Sequence, residues 1–437
     1  MRGWVDPADA FVTLFASDEN CFWLDREHHP SQRFSVLGHA YQNRVISAAE
    51  LFVELAKRSD WDSDPQDESC GFEFRPGFVG WFDYQADTLR PQSLSGSWLD
   101  VREAIVFDHD NRAIFFIGYF ATDHAFEEWV RAALLRLSLS GGQRIGYLMR
   151  NAPKAAAELI SLAHDGTEYL QLIGRVRAHI ASGDVYQLCL TNRIDYRHQH
   201  NSLEVFLRLR EQNPAPYSCY IRAGARALVC SSPEQFLNVT ASGEITTRPI
   251  KGTRPRSSDP QSDIEFAAEL AGDLKERAEN LMIVDLMRND LARVCDPDSV
   301  TVTKLFEVEP HASVHQLVST ISGRLSMGVT PETLVSAVFP GGSMTGAPKI
   351  RAMQLIQDLE AVPRGLYSGV AGYFGLDGSA DLGMVIRSLV FEDGKVSVGV
   401  GGGITIDSDP AAEFAETRLK AVALLNALGV QDPWLVA

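Results

Sequence analysis

The stretch ALVCSSPEQFLNVTASGEITTRPIKGTRPR, residues 227–256, decides the fold class of this chain. Apolar and β-branched residues dominate Ala227–Val239 and Gly243–Ile250, and a short Thr-Ala-Ser segment separates them, so we expect two long antiparallel strands joined by a turn. Lys251 then lies just beyond a strand end. Similar hairpins outnumber strand–helix–strand units along the chain. The pattern therefore predicts an α+β protein with large antiparallel β-sheets that form a sandwich-like core covered by helices.

The end of this stretch is strongly basic. Nine residues hold four cationic side chains, with two prolines among them: Arg248, Lys251, Arg254 and Arg256, stiffened by Pro249 and Pro255. Neighbouring positive charges disfavour an ammonium, so Lys251 can become an amine nucleophile near neutral pH. Taken alone, such a cluster is more often a solvated basic turn. Only features elsewhere in the chain can distinguish a reactive lysine from a solvated basic turn.

Length, composition and charge limit the class of protein. The chain has 437 residues, 45% of them hydrophobic, and a formal net charge of -17. We expect a strand-rich part over residues 1–150 and a catalytic region over 151–437, interleaved in one composite domain. The negative charge argues against a nucleic acid or an anionic membrane as partner. Without a long apolar run, and with six scattered cysteines that predict free thiols, the sequence indicates a cytoplasmic protein.

Periodicity places further elements along the chain. The predicted helices are Ala48–Arg58, His124–Leu137, a long stretch that starts at Pro153 and resumes at Thr167–Ser182, Asp263–Arg293, Pro331–Phe339, Pro348–Leu359 and Pro410–Leu428. The predicted strands are Cys21–Leu24, Arg33–Leu37, Ala104–Phe107, Ala113–Phe120, Gly369–Gly375, Met384–Phe391 and Lys395–Val400, the last two joined by a type I′ turn at Asp393-Gly394. The polar residues between Arg58 and Gly71 predict an exposed loop.

Two of the predicted helices carry matched pairs of glutamates. Glu276 and Glu279 lie three residues apart, and Glu413 and Glu416 repeat that spacing on the last helix, so each pair lies on one helix face. A single such pair is more often a solvated surface feature. Four converging carboxylates would repel one another unless a divalent cation neutralised them. Oxygen ligands without nearby imidazole or thiolate favour Mg²⁺ for that role.

Glycine-rich segments and one arginine indicate a site for an anion. Gly341–Lys349 opens a helix and Gly399–Ile404 follows a strand, but neither matches a nucleotide-binding pattern. Their backbone N–H groups suit a carboxylate, although tight turns alone would explain the glycines equally well. Arg387 interrupts an apolar strand, where an unpaired charge is costly, so an anion beside it is favoured. His315, in another apolar run, is more often a satisfied core histidine.

Taken together, these motifs resemble the chorismate-utilising enzymes, the family of the anthranilate, aminodeoxychorismate, isochorismate and salicylate synthases. The resemblance covers residues 167–428 with the motifs in order, and the N-terminal part is similar to the amino-transferring members. The motifs are PIKGTRPR around Lys251, ERAENLMIVDLMRND from Glu276, GGSMTGAPK from Gly341, Tyr367-Ser368-Gly369, Arg387, GGGI from Gly401 and the segment Glu413–Thr417, with RFSVLG at 33–38 and GFVGWF at 77–82. The resemblance implies the fold of anthranilate synthase component I.

Two positions discriminate between the activities of this family. The isochorismate and salicylate synthases have a water-activating lysine where this chain has Gln187. Anthranilate synthases have alanine where this chain has Lys251, and lysine at that place matches the aminodeoxychorismate synthase large subunits. The resemblance therefore implies a transferase that makes 4-amino-4-deoxychorismate for p-aminobenzoate and folate biosynthesis. An anthranilate synthase component I and a non-catalytic chorismate-binding scaffold are the alternatives.

The resemblance also implies catalytic roles. Lys251 attacks ring carbon 2 of chorismate while the 4-hydroxyl leaves, Glu234 acts as the general acid, and His315 lies near the departing hydroxyl. Ammonia then adds at carbon 4 and expels Lys251. No cysteine stands in a Gly-x-Cys-x-Gly elbow, so ammonia is expected from a separate glutamine amidotransferase subunit.

Ligands of the metal and of the substrate are implied in the same way. Mg²⁺ would bind the ring carboxylate of chorismate, with Glu279 and Glu416 as direct ligands and Glu276 and Glu413 close, partly through water. The substrate-binding candidates are Gln187, Thr253, Ser343, Tyr367, Arg387, Gly401, Gly402, Gly403 and Lys420.

Overall fold

The computed structural model describes residues 4–30, 32–58, 71–84, 94–153, 157–198, 200–311 and 314–435. Within these ranges the chain forms two large antiparallel sheets together with eleven α-helices. The predicted α+β class is confirmed. The loop predicted between Arg58 and Gly71 lies outside the described residues.

Twenty-one strands are found in the described residues. In chain order they are β1 Asn20–Asp25, β2 Phe34–His39, β3 Val45–Ser47, β4 Gly77–Phe82, β5 Gly96–Asp100, β6 Glu103–Asp108, β7 Ala113–Gly118, β8 Glu158–Leu162, β9 Gln187–Arg197, β10 Tyr217–Ala223, β11 Arg226–Ser232, β12 Gln235–Val239, β13 Glu244–Arg248, β14 Ile250–Pro255, β15 Thr301–Pro310, β16 Val314–Arg324, β17 Gly346–Ala347, β18 Val370–Gly375, β19 Ala380–Met384, β20 Ser388–Glu392 and β21 Lys395–Ile404.

The strands form two sheets that each mix early and late parts of the chain. The first sheet has the order β17-β9-β21-β20-β11-β10-β1-β2-β6-β7, with β8 paired to β9. The second has the order β14-β16-β13-β12-β19-β18-β4-β5-β3, with β15 paired to β16. Strands from residues 1–150 pair directly with strands from 151–437, as β1 does with β10 and β4 with β18. The division at residue 150 stays a prediction.

The helices are α1 Pro7–Phe15, α2 Ala48–Arg58, α3 Asp123–Leu137, α4 Gln143–Asn151, α5 Gly166–Ala181, α6 Ser202–Gln212, α7 Pro260–Gly272, α8 Leu274–Leu291, α9 Pro331–Val338, α10 Lys349–Leu359 and α11 Pro410–Leu428. Most of the helices begin after a side chain that caps their first N–H groups, and α1, α7, α9 and α11 also start with a proline. The predicted helix Asp263–Arg293 is two helices, because the Asp273 side chain accepts hydrogen bonds from the N–H groups of Lys275 and Glu276 and so caps a new helix.

The core is arranged in layers. Side chains of both sheets, among them Phe22 on β1 and Trp81 on β4, pack together in one fully buried cluster between the sheets. On the outer face of the first sheet, α1, α6 and α11 contribute to a second cluster, and on the outer face of the second sheet, α2, α8 and α9 contribute to a third. The helices thus bury the outer faces of the sheets, which supports the rigid framework around the site.

Two predicted strands each cross from one sheet to the other. Ala227–Val239 is interrupted by Pro233-Glu234, so that β11 lies in the first sheet and β12 in the second, because Pro233 has no N–H to continue a ladder. Met384–Phe391 is interrupted in the same way between β19 and β20. The two interruptions are neighbours. The Ser231 N–H donates to the Arg387 carbonyl at 3.1 Å, and the Met384 N–H donates to the Glu234 carbonyl at 3.0 Å. We call residues 233–234 and 385–387 the sheet crossover.

Two further predictions differ from the structure and two are confirmed. Lys251 lies within β14 rather than beyond a strand end, because the interruption falls earlier, at Pro249. The helix predicted from Pro153 is wrong: α4 ends before it, and β8 follows, which pairs with β9 and covers part of its edge. The helix Pro410–Leu428 is confirmed, as is the type I′ turn, whose residues Asp393 and Gly394 both have positive φ.

Candidate active site

A cavity of about 620 Å³ lies where the sheet crossover, β14 and β21 face helices α8 and α11. This volume suits a small organic molecule. Most of the residues predicted from the sequence to form the site do line this cavity. They are Glu234, Lys251, Thr253, Glu276, Glu279, Ser343, Tyr367, Arg387, Gly401, Gly402, Gly403, Glu413, Glu416 and Lys420. The fold therefore brings the acidic helices, the basic segment and the glycine-rich strand to one place.

Lys251 is directed into the cavity by a β-bulge. The pairing of β14 with β16 slips between Ile250 and Thr253, and Gly252 in the slip has a φ of +85°. Such a bulge redirects the neighbouring side chain, and the left-handed backbone requires glycine. A Cβ atom at Gly403 would lie 2.9 Å from the Lys251 Nζ, so the bare backbone of β21 leaves the space that the amine occupies.

The three arginines of the basic segment are each neutralised by a carboxylate. Their partners are Glu309 for Arg248, Glu269 and Asp273 for Arg254, and Asp263 for Arg256. The arginines therefore anchor the segment to α7 and β15. The charged groups near Lys251 are carboxylates instead. Its ammonium favours the ionised forms of Glu234, Glu279 and Glu416, which shows that these three carboxyl groups lie close to it. This differs from the cationic crowding that the sequence led us to expect.

Glu234 is a buried carboxyl at the sheet crossover, only 7% exposed. Burial raises its pKa to about 7, although a hydrogen bond from Ser343 and the ammonium groups of Lys251 and Lys420 favour the ionised form. Near neutral pH this carboxyl is therefore partly protonated. A carboxyl in that condition is suited to donate a proton to a leaving group.

The acidic residues of α8 and α11 face each other across the cavity. Burial, together with nearby carboxylates, raises the pKa of Glu276 and of Glu279. Burial would also raise the pKa of Glu416, but the Lys420 ammonium at 2.7 Å outweighs it and the net direction is down. Glu413 accepts a hydrogen bond from the Ser408 hydroxyl at 2.7 Å. The cluster therefore holds more negative charge than its burial tolerates without cations.

The chemistry of these carboxylates fits Mg²⁺, whereas their present arrangement does not yet form a metal site. They are hard oxygen donors in a partly buried cavity, the kind of ligand that Mg²⁺ takes together with water and substrate oxygens. Within the described ranges, no three His, Cys, Asp or Glu side chains stand close enough to hold a metal ion as a group. Lysines occupy the space, since Lys420 pairs with Glu416 and Lys275 with Glu413.

Arg387 and Tyr367 form the wall next to the sheet crossover. Arg387 has a φ of +50°, which is costly for a residue with a side chain. Burial lowers its pKa, and Tyr367 and Glu416 oppose this effect. Its guanidinium forms no ion pair with any residue that the structure describes, so it is available to an anionic ligand. The Tyr367 ring packs directly on Gly399, where any side chain would collide with it.

The glycines of β21 are held beside Lys420. The Lys420 Nζ donates to the Gly401 carbonyl at 2.9 Å while also contacting Glu416, and a Cβ atom at Gly402 would lie 3.5 Å from the same Nζ. The Gly401–Gly403 backbone therefore borders the cavity directly, between the lysine and the carboxylates.

Gln187 and His315 do not lie among the side chains that line the cavity. Gln187 begins β9, and its amide nitrogen lies next to Gly403, while its carbonyl oxygen Oε1 is buried without a hydrogen-bond partner in the described residues. His315 bonds Asp263 through Nε2 at 2.9 Å. Its neighbours Val314 and Gln316 line the cavity, so the alternation of β16 turns His315 to the other face. Their predicted roles stay predictions.

Lys275 lines the cavity but was not among the predicted site residues. Its Nζ lies 3.4 Å from the Glu413 Oε1 and 3.8 Å from the Glu279 Oε1. The signal was available in the sequence, because Lys275 and Glu279 are four residues apart and therefore neighbours on one helix face.

The fold and the cavity define a class of protein in which a cavity lined by acidic and cationic side chains lies beside two antiparallel sheets. The chain belongs to the family of chorismate binding enzymes, whose sequence model matches residues 13–426. It is 37% identical to the aminodeoxychorismate synthase of Streptomyces griseus (98% of this chain, 63% of that protein) and 41% identical to that of Streptomyces pristinaespiralis (97% and 64%). The chain thus spans just under two thirds of the length of these relatives.

A solved structure supports the same assignment. The anthranilate synthase component I of Streptococcus pneumoniae matches with a TM-score of 0.75 at 26% identity, over 91% of this chain and 92% of that one. The fold expected from the resemblance is thereby confirmed. None of the helices in the described residues combines the length and the apolar character needed to cross a bilayer.

Proposed function

We propose that this chain converts chorismate and ammonia to 4-amino-4-deoxychorismate and water. The observation that carries the proposal is the position of the Lys251 amine, which lies in the same cavity as the buried carboxyl of Glu234 and close enough to favour its ionised form. A nucleophile and a proton donor within one cavity are what a displacement at an allylic alcohol needs. Two Streptomyces relatives named aminodeoxychorismate synthase support this assignment.

The chain's own residues supply each step of the reaction. Lys251, as the free amine, forms a bond to ring carbon 2 while both ring double bonds shift by one position and the bond from carbon 4 to its hydroxyl breaks. Glu234 gives the departing hydroxyl a proton, so that it leaves as water. Ammonia then bonds to carbon 4, both double bonds shift back, and the bond from carbon 2 to Lys251 breaks. The bound Lys251 nitrogen keeps its two protons and leaves as the neutral amine, and the proton that the bound ammonia loses restores Glu234.

Substrate position follows from the charges around the cavity. We assign Arg387, with its unpaired guanidinium, to one carboxylate of chorismate, and Tyr367, Lys420 and the Gly401–Gly403 backbone to further contacts with the substrate. Thr253, Ser343 and Gln187 are the remaining polar candidates. His315, on the other face of β16, is proposed to act on the hydroxyl only through residues of the cavity wall.

A divalent cation and a partner complete the proposal. Mg²⁺ would be held by Glu279 and Glu416, with Glu276 and Glu413 near it, and would neutralise the ring carboxylate of the substrate. Ammonia is proposed to come from a separate glutamine amidotransferase subunit, since none of the six cysteines stands in the glycine-flanked elbow of such enzymes. We place the reaction in the cytoplasm and in p-aminobenzoate and folate biosynthesis.

Product analysis tests the proposed reaction. Purified protein is incubated with chorismate, MgCl₂ and an ammonium salt, and we expect aminodeoxychorismate without pyruvate. Lys251→Ala should abolish the product, whereas the control Lys395→Ala, which removes a lysine paired with Asp195 instead, should not. An unchanged rate in Lys251→Ala would contradict the covalent step, and absence of any turnover would favour a chorismate-binding scaffold.

The structural likeness to an anthranilate synthase component I keeps one alternative open. That activity would release pyruvate and fluorescent anthranilate in the same incubation. Lys251 argues against it, because the resemblance places alanine there in anthranilate synthases. Appearance of both compounds would overturn the proposed reaction.

A further inference from the structure

Lys275 stands where the local structure of its helix disfavours a positive charge. It is the second residue of α8, in the first turn, where the helix dipole favours anions. The i,i+4 spacing on a helix would explain a contact with Glu279, although Lys before Glu is the less favourable order, but the Lys275 ammonium also reaches beyond its own helix. It lies 3.4 Å from Glu413 on α11, nearer than the 3.8 Å to Glu279. The carboxylates of two helices therefore hold it in place.

Lys275 differs in this respect from the other lysine of the cluster. Lys420 is 26% exposed and bonds a backbone carbonyl as well as Glu416, so it is fixed to β21. The side chain of Lys275 is 49% exposed, and the only acceptors that the described residues offer it are carboxylates. It can therefore leave the cluster for solvent at the loss of one long hydrogen bond to Glu413, whose carboxylate a metal ion would then neutralise.

We propose that the Lys275 ammonium is a tethered counter-ion of the carboxylate cluster, and that a divalent metal ion binds by expelling it from between Glu279 and Glu413. The inference rests on the proposed function in one respect, namely that the cluster takes Mg²⁺. It explains why the described carboxylates form no metal-binding group although their chemistry suits one. In the metal-free protein the lysine balances the charge, and in the metal-bound protein its side chain projects into solvent at the mouth of the cavity.

Calorimetric titration of MgCl₂ into metal-free protein, in the absence of chorismate, tests the competition. Lys275→Met should bind Mg²⁺ more tightly than the wild type by about three- to tenfold, the scale of one or two partly exposed ion pairs. Lys57→Met removes a lysine that pairs with Glu54 on α2, outside the cavity, and should leave the affinity unchanged. Without metal, Lys275→Met should melt at a lower temperature than the wild type, and Mg²⁺ should raise its melting temperature by more.

A second measurement follows the lysine itself in the wild-type protein. Brief reductive methylation, read by mass spectrometry of the peptide that contains Lys275, should label this amine faster when Mg²⁺ is saturating than when it is absent. Labelling of Lys57 should be the same in both conditions. If Lys275→Met folds poorly, Lys275→Gln serves for the titration, and the labelling needs no variant.

The outcomes separate this inference from the proposed function. Equal or weaker Mg²⁺ binding by Lys275→Met, or a Lys275 reactivity that does not change with Mg²⁺, would overturn the inference even if the enzyme makes aminodeoxychorismate. Tighter binding by the variant and faster labelling would support the inference even if chorismate were not converted, in which case the proposed function alone would fail. Absence of Mg²⁺ binding in both proteins would overturn the competition outright.

Discussion

The stability of the protein depends on pH through Glu234, and the raised pKa of this carboxyl determines the direction of that dependence. Its pKa rises from an ordinary 4.5 to about 7 because the carboxyl is buried at the sheet crossover. At about 1.4 kcal/mol per pH unit, this difference corresponds to about 3 kcal/mol. Below pH 4.5 the carboxyl is protonated in the folded and the unfolded chain. Between pH 4.5 and about 7 only the unfolded chain ionises, so the wild type loses stability as the pH rises, and above about 7 the loss is complete.

Replacement of this carboxyl by an amide removes the loss. Glu234→Gln should gain up to about 3 kcal/mol on the wild type between pH 5 and pH 8, most of it before pH 7. The assay is urea unfolding of metal-free protein at a series of pH values, followed by tryptophan fluorescence. Glu244→Gln removes an exposed glutamate on β13 and serves as the control; its stability should change with pH in parallel with that of the wild type. If the free energy of unfolding of Glu234→Gln changed with pH in parallel with that of the wild type, the Glu234 carboxyl would not be neutral in the folded protein.

Three further substitutions test packing and charge, two of them at the cavity and one in the buried ion pair between Asp290 on α8 and Lys349 on α10. Gly399→Ala would collide with the Tyr367 ring and should cost about 1–3 kcal/mol, measured by thermal unfolding; an unchanged melting temperature would mean that the ring can move. Lys349→Met removes the ion-pair partner of Asp290, which is only 3% exposed. The free energy of unfolding, measured in urea, should fall by about 3–5 kcal/mol. A smaller loss at neutral pH would mean that Asp290 takes up a proton instead. Arg387→Met should raise the KM for chorismate at least ~10-fold in steady-state kinetics, and an unaffected KM would remove this residue from the substrate contacts.

Much of the architecture was predictable because local signals agreed with the tertiary structure. The apolar periodicity of α11 and its start at Pro410 located that helix, and Asp393-Gly394 located a hairpin. The helix predicted from Pro153 failed because the edge of β9 takes β8 as a partner, and periodicity within a short segment does not reveal a partner elsewhere in the chain. Convergence of the acidic pairs was a hypothesis from spacing alone, and only the packing of α8 and α11 around one cavity could place them together.

The sheet crossover was not predictable, and its two strands were each expected to be continuous. Pro233 was a sign of interruption within Ala227–Val239, but the matching interruption before Ser388 contains no proline or glycine. There the backbone turns through the positive φ of Arg387 itself. A turn of that kind depends on the two sheets to stabilise it. The surroundings of Lys251 were misjudged for a related reason, since sequence shows which charges are near in the chain but not which are already paired.

The sheet crossover has a mechanical consequence. Each of the two backbone links that join the sheets at this place is hydrogen-bonded to the strand end that leads into the other link, and the links carry the proposed proton donor and the proposed carboxylate-binding guanidinium. Any rocking of one sheet against the other would therefore pivot close to these two groups, and their separation would change less than distances at the far edges of the sheets. The side chains packed between the sheets therefore help to set the separation of the two groups on which the proposed reaction depends, although they do not line the cavity.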